Sequence, residues 1–145
     1  MNITKNKDSK NDAFLQAEIE SQLEQFTGTT TYYRKSFLFP NFVLTDGTLY
    51  LAEVCKAYWL LNLIASFQEH EDIKNNPYLQ RGTQFWELEV KDSKGLLTCE
   101  CDEEKTVIKQ RIDDTDFPLQ KIRIWVGKTE ILGSLVSVAF LPSEY

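Results

Sequence analysis

The chain has 145 residues, 42% hydrophobic and 12% aromatic, with a formal net charge of −6. That is one domain's worth of chain, and folding it hides about two-thirds of the unfolded surface. The acidic balance excludes a nucleic-acid binder working by phosphate neutralisation, which needs a basic face, and Glu53, Lys56, Asn62 and Ser66 interrupt the only stretch that approaches a membrane span.

MNITKNKDSKND (1–12) carries lysines but no apolar segment. It reads as a flexible polar arm, not a signal peptide. Residues 13–145 read as a single domain. Three cysteines without scaffold spacing place the protein in the cytoplasm. Asn11 or Asp12 caps a helix predicted over 13–26, where Leu15, Ile19, Leu23 and Phe26 recur at helical spacing and Gly28 follows as a stop.

TTTYYR (29–34) and FVLT (42–45) are rich in β-branched and aromatic residues and predict two strands, with the Pro40 loop between them. Asp46–Gly47 then reads as a turn closing a short hairpin, since both residues tolerate positive φ. A helix is expected from about Leu51 to Gln68. Leu51, Val54, Tyr58, Leu61 and Ala65 form one stripe, and Leu60, Leu63, Ile64 and Phe67 fill most other directions. A helix apolar nearly all round is buried on more than one side. Tyr58 and Trp59 belong to that core, with polar tips that find partners. EHEDIKNNP ends the helix, with Pro77 as a late stop.

From Thr83 the period changes to two. TQFWELEV (83–90), GLLTCEC (95–101), TVIKQRI (106–112), KIRIWVG (121–127) and SLVSVAF (134–140) are strand candidates. Helices first and strands afterwards is the order of an α+β fold: an N-terminal helix and a central buried helix packed on one face of an antiparallel β-meander.

A catalytic set is hard to assemble. His70 is the only histidine, and EHED has no zinc spacing. Nothing near Ser66 or Cys55 resembles a nucleophile elbow. Cys99 and Cys101 face the same way on a strand, and buried small hydrophobes explain them. DDTD (113–116) lacks the glycine and distant glutamate of a calcium loop. No glycine pattern makes a phosphate loop. No metal and no cofactor are expected. The remaining enzymatic alternative is a carboxylate site made by Asp46, Glu53 and Asp116. Acidic residues also cluster at 69–72, 100–104 and 113–116, and the second alternative is an acidic mimic of nucleic acid built from those clusters.

Strand faces offer the stronger lead. Trp86, Leu88 and Val90 point one way while Phe85, Glu87 and Glu89 point the other; Ile122, Ile124 and Val126 oppose Arg123 and Trp125. On 106–112 the outward set is Val107, Lys109 and Arg111. The mixed face carries Lys109, Arg111, Arg123 and Trp125. Arg and Trp on an open face is the composition of an interface hot spot; the structural alternative is Trp125 packed beneath the C-terminal strand or a loop.

FTGT (26–29), YYR (32–34), TDG (45–47), YLAE (50–53), AYWLL (57–61), IAS (64–66), LTC (97–99), TDFPL (115–119) and the terminal LPSEY (141–145) together resemble an uncharacterised bacterial and phage family, known only as a domain of unknown function. The resemblance spans nearly all the chain after residue 12. It implies a bacterial, cytoplasmic, single-domain protein of a phage or other mobile element, and it carries no activity or site residue with it. One departure is that GSLVSVAF stands between EIL and LPSEY, where the family runs from a short apolar strand directly into its ending. The expectation is therefore a small acidic protein-interaction or accessory module. Its partner is another protein, with neither direct nucleic-acid contact nor membrane contact. Oligomeric state stays open, because SLVSVAF either lies inside the sheet or pairs with its copy in a second chain.

Overall fold

The computed structural model describes the backbone of residues 2–101 and 105–145, and the side chains of 13–79, 82–101 and 105–145. The period-two segments become a six-stranded mixed sheet. Its strands are β1 (Phe42–Leu44), β2 (Gln84–Lys91), β3 (Lys94–Glu100), β4 (Thr106–Ile112), β5 (Lys121–Ile131) and β6 (Ser134–Phe140), in the order β1-β6-β5-β2-β3-β4. The α+β class is the one the residue order indicates. The meander runs through β2, β3 and β4; the chain then returns past two strands to lay β5 against the far side of β2. That return is anchored by Thr115 N–H to the Ser93 carbonyl (2.8 Å) and Val90 N–H to the Gln120 carbonyl (2.8 Å). On the way Phe117 and Leu119 drop into the core. β6 pairs with β5 on one side and, in parallel, with β1 on the other. SLVSVAF is thus an interior strand and not an edge.

Two turns between strands take positive φ without help from glycine at every position. Lys91 pairs with Lys94 across Asp92 (φ 54) and Ser93 (φ 63), and Ile131 pairs with Ser134 across Leu132 (φ 50) and Gly133 (φ 82). Both are two-residue turns whose twist matches that of the strands they join.

The helices are α1 (Asn2–Leu23), α2 (Asp46–Val54), α3 (Tyr58–Phe67), α4 (Glu71–Lys74) and α5 (Pro77–Arg81). The α1 backbone is helical from Asn2, ahead of the residue where apolar periodicity starts, and it stops at Leu23, before Phe26. Ile19 and Leu23 pack in the core while Leu15 stays exposed. Two expectations are corrected. TTTYYR does not form a strand: Tyr33 makes a single antiparallel bridge with Leu44, its amide to the Leu44 carbonyl at 2.8 Å and the return bond at 2.9 Å. The long central helix is two helices. Lys56 adopts φ 52, and the Ala57 amide reaches back to the Ala52 carbonyl at 2.9 Å. That is a Schellman-type stop with lysine where glycine is usual, so no residue type announced it.

Inward side chains of the sheet and the buried faces of the helices make one core around Leu51, Leu60, Ile64, Trp86, Leu88, Leu97 and Ile124. Burying each of these aliphatic side chains contributes about 1.5–3 kcal/mol. Trp86, not Trp59, is the fully buried indole; its Nε1 donates to Gln84 Oε1 at 2.8 Å, and Gln84 and Gln68 exchange amide hydrogen bonds at 2.8 and 2.9 Å. Tyr58 is half-buried, with its hydroxyl 3.4 Å from Glu53, and Trp59 is half-buried beside Asp116. A second small cluster, Val43, Val136 and Val138, lies on the other face of β1 and β6.

Lys56→Gly is expected to raise stability by about 1 kcal/mol, because glycine takes the left-handed conformation without a Cβ penalty. Thermal melts of the two proteins check this. An unchanged or lower Tm speaks against a strained link between α2 and α3.

Candidate functional site

Asp46–Gly47 is not a hairpin turn. Thr45 caps α2, and Asp46 and Gly47 are its first two residues. The Thr48 amide donates to Thr45 Oγ1 (3.3 Å) and the Thr45 amide to Thr48 Oγ1 (2.9 Å), a capping box with threonine in place of the usual acid. Thr48 Oγ1 also donates to the Ala139 carbonyl at 2.8 Å. The sequence TDGT holds both elements of this box, but a hairpin reading of Asp-Gly obscured it.

Two carboxylates gather at this helix start. Asp46 accepts from the Tyr33 hydroxyl at 2.8 Å and the Thr30 amide at 3.2 Å, while its own amide donates to Thr29 Oγ1 at 2.9 Å. Glu144 comes from the C-terminal segment. Its Oε1 accepts from Thr45 Oγ1 (2.7 Å) and the Leu141 amide (2.9 Å), and its Oε2 from the Gly47 amide (3.1 Å). A Cβ on Gly47 would stand 2.5 Å from Glu144 Oε1 and 2.7 Å from Leu141 Cδ1, so only glycine allows the carboxylate this close. The Tyr33 hydroxyl holds the Asp46 carboxyl below its ordinary 3.8, and the same bond holds the Tyr33 phenol above 10.0. Both carboxylates are thus hydrogen-bonded within the fold.

The three carboxylates considered as a catalytic set are not brought together. Asp46 and Glu53 stand at opposite ends of α2, about 10 Å apart along the axis at 1.5 Å per residue. Asp116 lies on the β4–β5 connection, lining a cleft with Trp59, Ser93 and Thr115. The acidic clusters are likewise spread. Glu69, Glu71 and Asp72 lie near the start of β4 and Asp113, Asp114 and Asp116 follow its end, about 20 Å along a seven-residue strand. Asp102, Glu103 and Glu104 lie outside the described residues. Burial pushes the Cys55 thiol up to about 11 and Cys99 up to about 12, so neither is a thiolate at neutral pH. His70 caps α4, its Nδ1 accepting from the Asp72 amide at 3.1 Å.

The outer sheet face carries Phe85, Glu87, Glu89, Lys109, Arg111, Arg123 and Trp125 as the alternation assigns them. Val107, assigned there too, packs against the core instead, because the register shifts at Cys99/Glu100. Register sets Arg123, Glu87, Thr98 and Lys109 in one row across four strands, and Lys121, Glu89, Leu96 and Arg111 in the next. A third row runs Phe140, Trp125, Phe85 and Glu100. Arg123 Nε lies 3.1 Å from Glu87 Oε1, and Lys121 Nζ 3.3 Å from Glu89 Oε1 and 3.8 Å from Glu87 Oε1. Arg123 and Lys121 are therefore occupied by β2 acids, though such exposed pairs are worth little individually. Trp125 is half-buried among rings, with Phe85 edge-on at 5.1 Å, Tyr145 at 5.6 Å and Phe140 at 6.1 Å. Lys109 and Arg111 are exposed on β4, about 14 Å across the sheet from Arg123.

A family model described as a family of unknown function, DUF6876, matches residues 17–145. The chain belongs to that family. No curated protein and no solved structure matches it. In this DUF6876 chain the matched span covers the α2 junction, the whole outer face and the end of α1. Among the described residues no helix is long and apolar enough to cross a membrane, and no three or more His, Cys, Asp or Glu side chains are grouped so that they could hold a metal ion.

Two measurements test the junction of this DUF6876 domain. Glu144→Ala leaves three donors without their acceptor and should cost about 2–3 kcal/mol in denaturant unfolding, with Gly47→Ala similarly destabilising; wild-type stability in both would show the latch to be unimportant. The Asp46–Tyr33 bond favours ionised Asp46 with protonated Tyr33. Its contribution is present between the ordinary carboxylate and phenol ranges, lost as pH falls through the lowered Asp46 value and as it rises through the raised Tyr33 value. Tyr33→Phe should flatten both limbs of a stability–pH curve. Identical limbs in the two proteins would assign them to other groups.

Proposed function

We propose that this protein is a protein-interaction module whose contact surface is the outer face of β2–β5, a cytosolic accessory factor of a phage or other mobile element as the motif resemblance implies. One observation carries the reading. The core takes the inward side chains, whereas the outward Lys109, Arg111, Lys121 and Arg123 are all exposed on strands of a rigid sheet, with half-buried Trp125 at one end. Arg and aromatic side chains held on rigid strands lose little entropy on contact, which is what makes such residues anchors. The junction at α2 supports the same reading from the other side, since its polar groups are consumed by the fold.

Capture from bacterial lysate with tagged protein, followed by mass spectrometry, tests this when run beside variants. Arg123→Ala and Trp125→Ala, and separately Lys109→Ala with Arg111→Ala, should each weaken retention of the same partner by about tenfold, equivalent to about 1.4 kcal/mol. Melting curves confirm that the variants fold. Full retention by every folded variant would remove the outer face as the contact surface.

A further inference from the structure

We propose that the edge strand β4 receives an extended acidic segment of a partner polypeptide, added to the sheet as a further strand. The inference rests on the interaction reading above and names the chemistry of the partner.

The sheet has two ends of different character. At one, β1 is wholly buried and its outer edge is bridged by Tyr33. At the other, β4 pairs only with β3. Among the described residues, 106–112 make no backbone–backbone hydrogen bond outside the sheet ladder. An edge strand leaves alternate N–H and C=O groups pointing outward, a template that another strand completes. The Arg111 carbonyl is covered by the Gln110 side chain at 2.9 Å, so a pairing strand displaces one amide there.

Charge selects the strand. Overall the protein is acidic, yet Lys91, Lys94, Lys109 and Arg111 lie on the outer side of β2, β3 and β4 with no ion pair among the described residues, in contrast to Lys121 and Arg123. Three of them (Lys91, Lys94 and Arg111) line one open cleft of about 1250 Å³, together with Val90, Leu96 and Ile112. Asp92 and Asp113 flank this cleft, and Glu89 on its wall is taken by Lys121. Asp114 and Asp116 follow the end of β4, and Glu71 and Asp72 lie near its start, so the stretch of β4 that favours an acidic strand is the middle one carrying Lys109 and Arg111. A second copy of this chain fits poorly, because antiparallel self-pairing of β4 centred on Gln110 sets Lys109 opposite Arg111 of the copy, like charge against like. Nucleic acid fits less well than a peptide. Its phosphates have no use for outward backbone groups, and Trp125 and Phe85, three and two strands away from β4, are packed against one another instead of offering faces for stacking.

The test is fluorescence anisotropy with a labelled TETETETE peptide at low and high salt. Three controls accompany it: TKTKTKTK, the acidic peptide N-methylated at alternate residues, and an oligo-dT strand. The acidic peptide should bind, and Lys109→Glu with Arg111→Glu should weaken it by about tenfold or more. N-methylation should weaken it comparably, since it removes the pairing hydrogen bonds. Absence of binding overturns the inference. So does binding indifferent to N-methylation, which would mean charge attraction without strand addition, and so does oligo-dT binding as tightly as the acidic peptide. If those results come while the outer-face variants still lose their captured partner, the interaction module stands and only the edge-strand partner falls; retention by every folded variant would end both.

Discussion

The Glu144 carboxylate is the joint on which the rest of the structure closes. It is the acceptor for three donors from two parts of the chain: the cap and second residue of α2, and the residue just after the last strand. A helix start leaves amides without partners and carries a partial positive charge, so a carboxylate there is favoured twice, by hydrogen bonding and by the helix dipole. Because β6 lies between β5 and β1, tying the residues just after it to α2 fixes how the helical layer sits on the sheet. Asp46 performs the matching service for residues 29–33, which would otherwise have only one backbone bridge to hold them.

That closure separates the two faces of the sheet. One face is consumed by the core, together with a buried polar thread from Trp86 through Gln84 to Gln68 in which each amide is answered. The other carries charge and rings in rows set by register. Within it the cations divide into two kinds, those on β5 that β2 acids already engage and those on β4 and the β2–β3 turn that face solvent. The return of the chain from β4 to β5 is responsible, for it sets β5 beside the acids of β2 and leaves β4 at the edge.

Much of this was legible along the chain. Trp86, Leu88, Ile108, Ile124 and Val126 recur at every second position, so the core side of β2, β4 and β5 followed from side-chain period alone, and the outward set Lys109, Arg111, Arg123 and Trp125 followed with it. What misled was chemistry with two solutions. Asp-Gly suits a hairpin turn as well as a helix start, and Thr45 and Thr48 decided for the helix only because Ala139 and Glu144 were there to bond them. Lys56 gave no sign of a helix stop because its residue type favours continuation. Glu144 stood only within the LPSEY motif, with nothing local to mark its partners.

By itself the sequence determined that the protein is an α+β domain, where its six strands lie (with TTTYYR offered as one too many) and most of the side chains that β2, β4 and β5 turn inward, because these depend on local period and composition. It also determined family membership. Only the tertiary structure decided which strands are neighbours, which cations are already paired, and what Asp46, Gly47 and Glu144 are for. Those are contacts between residues distant along the chain, and no local pattern encodes a partner that lies nearly a hundred residues away.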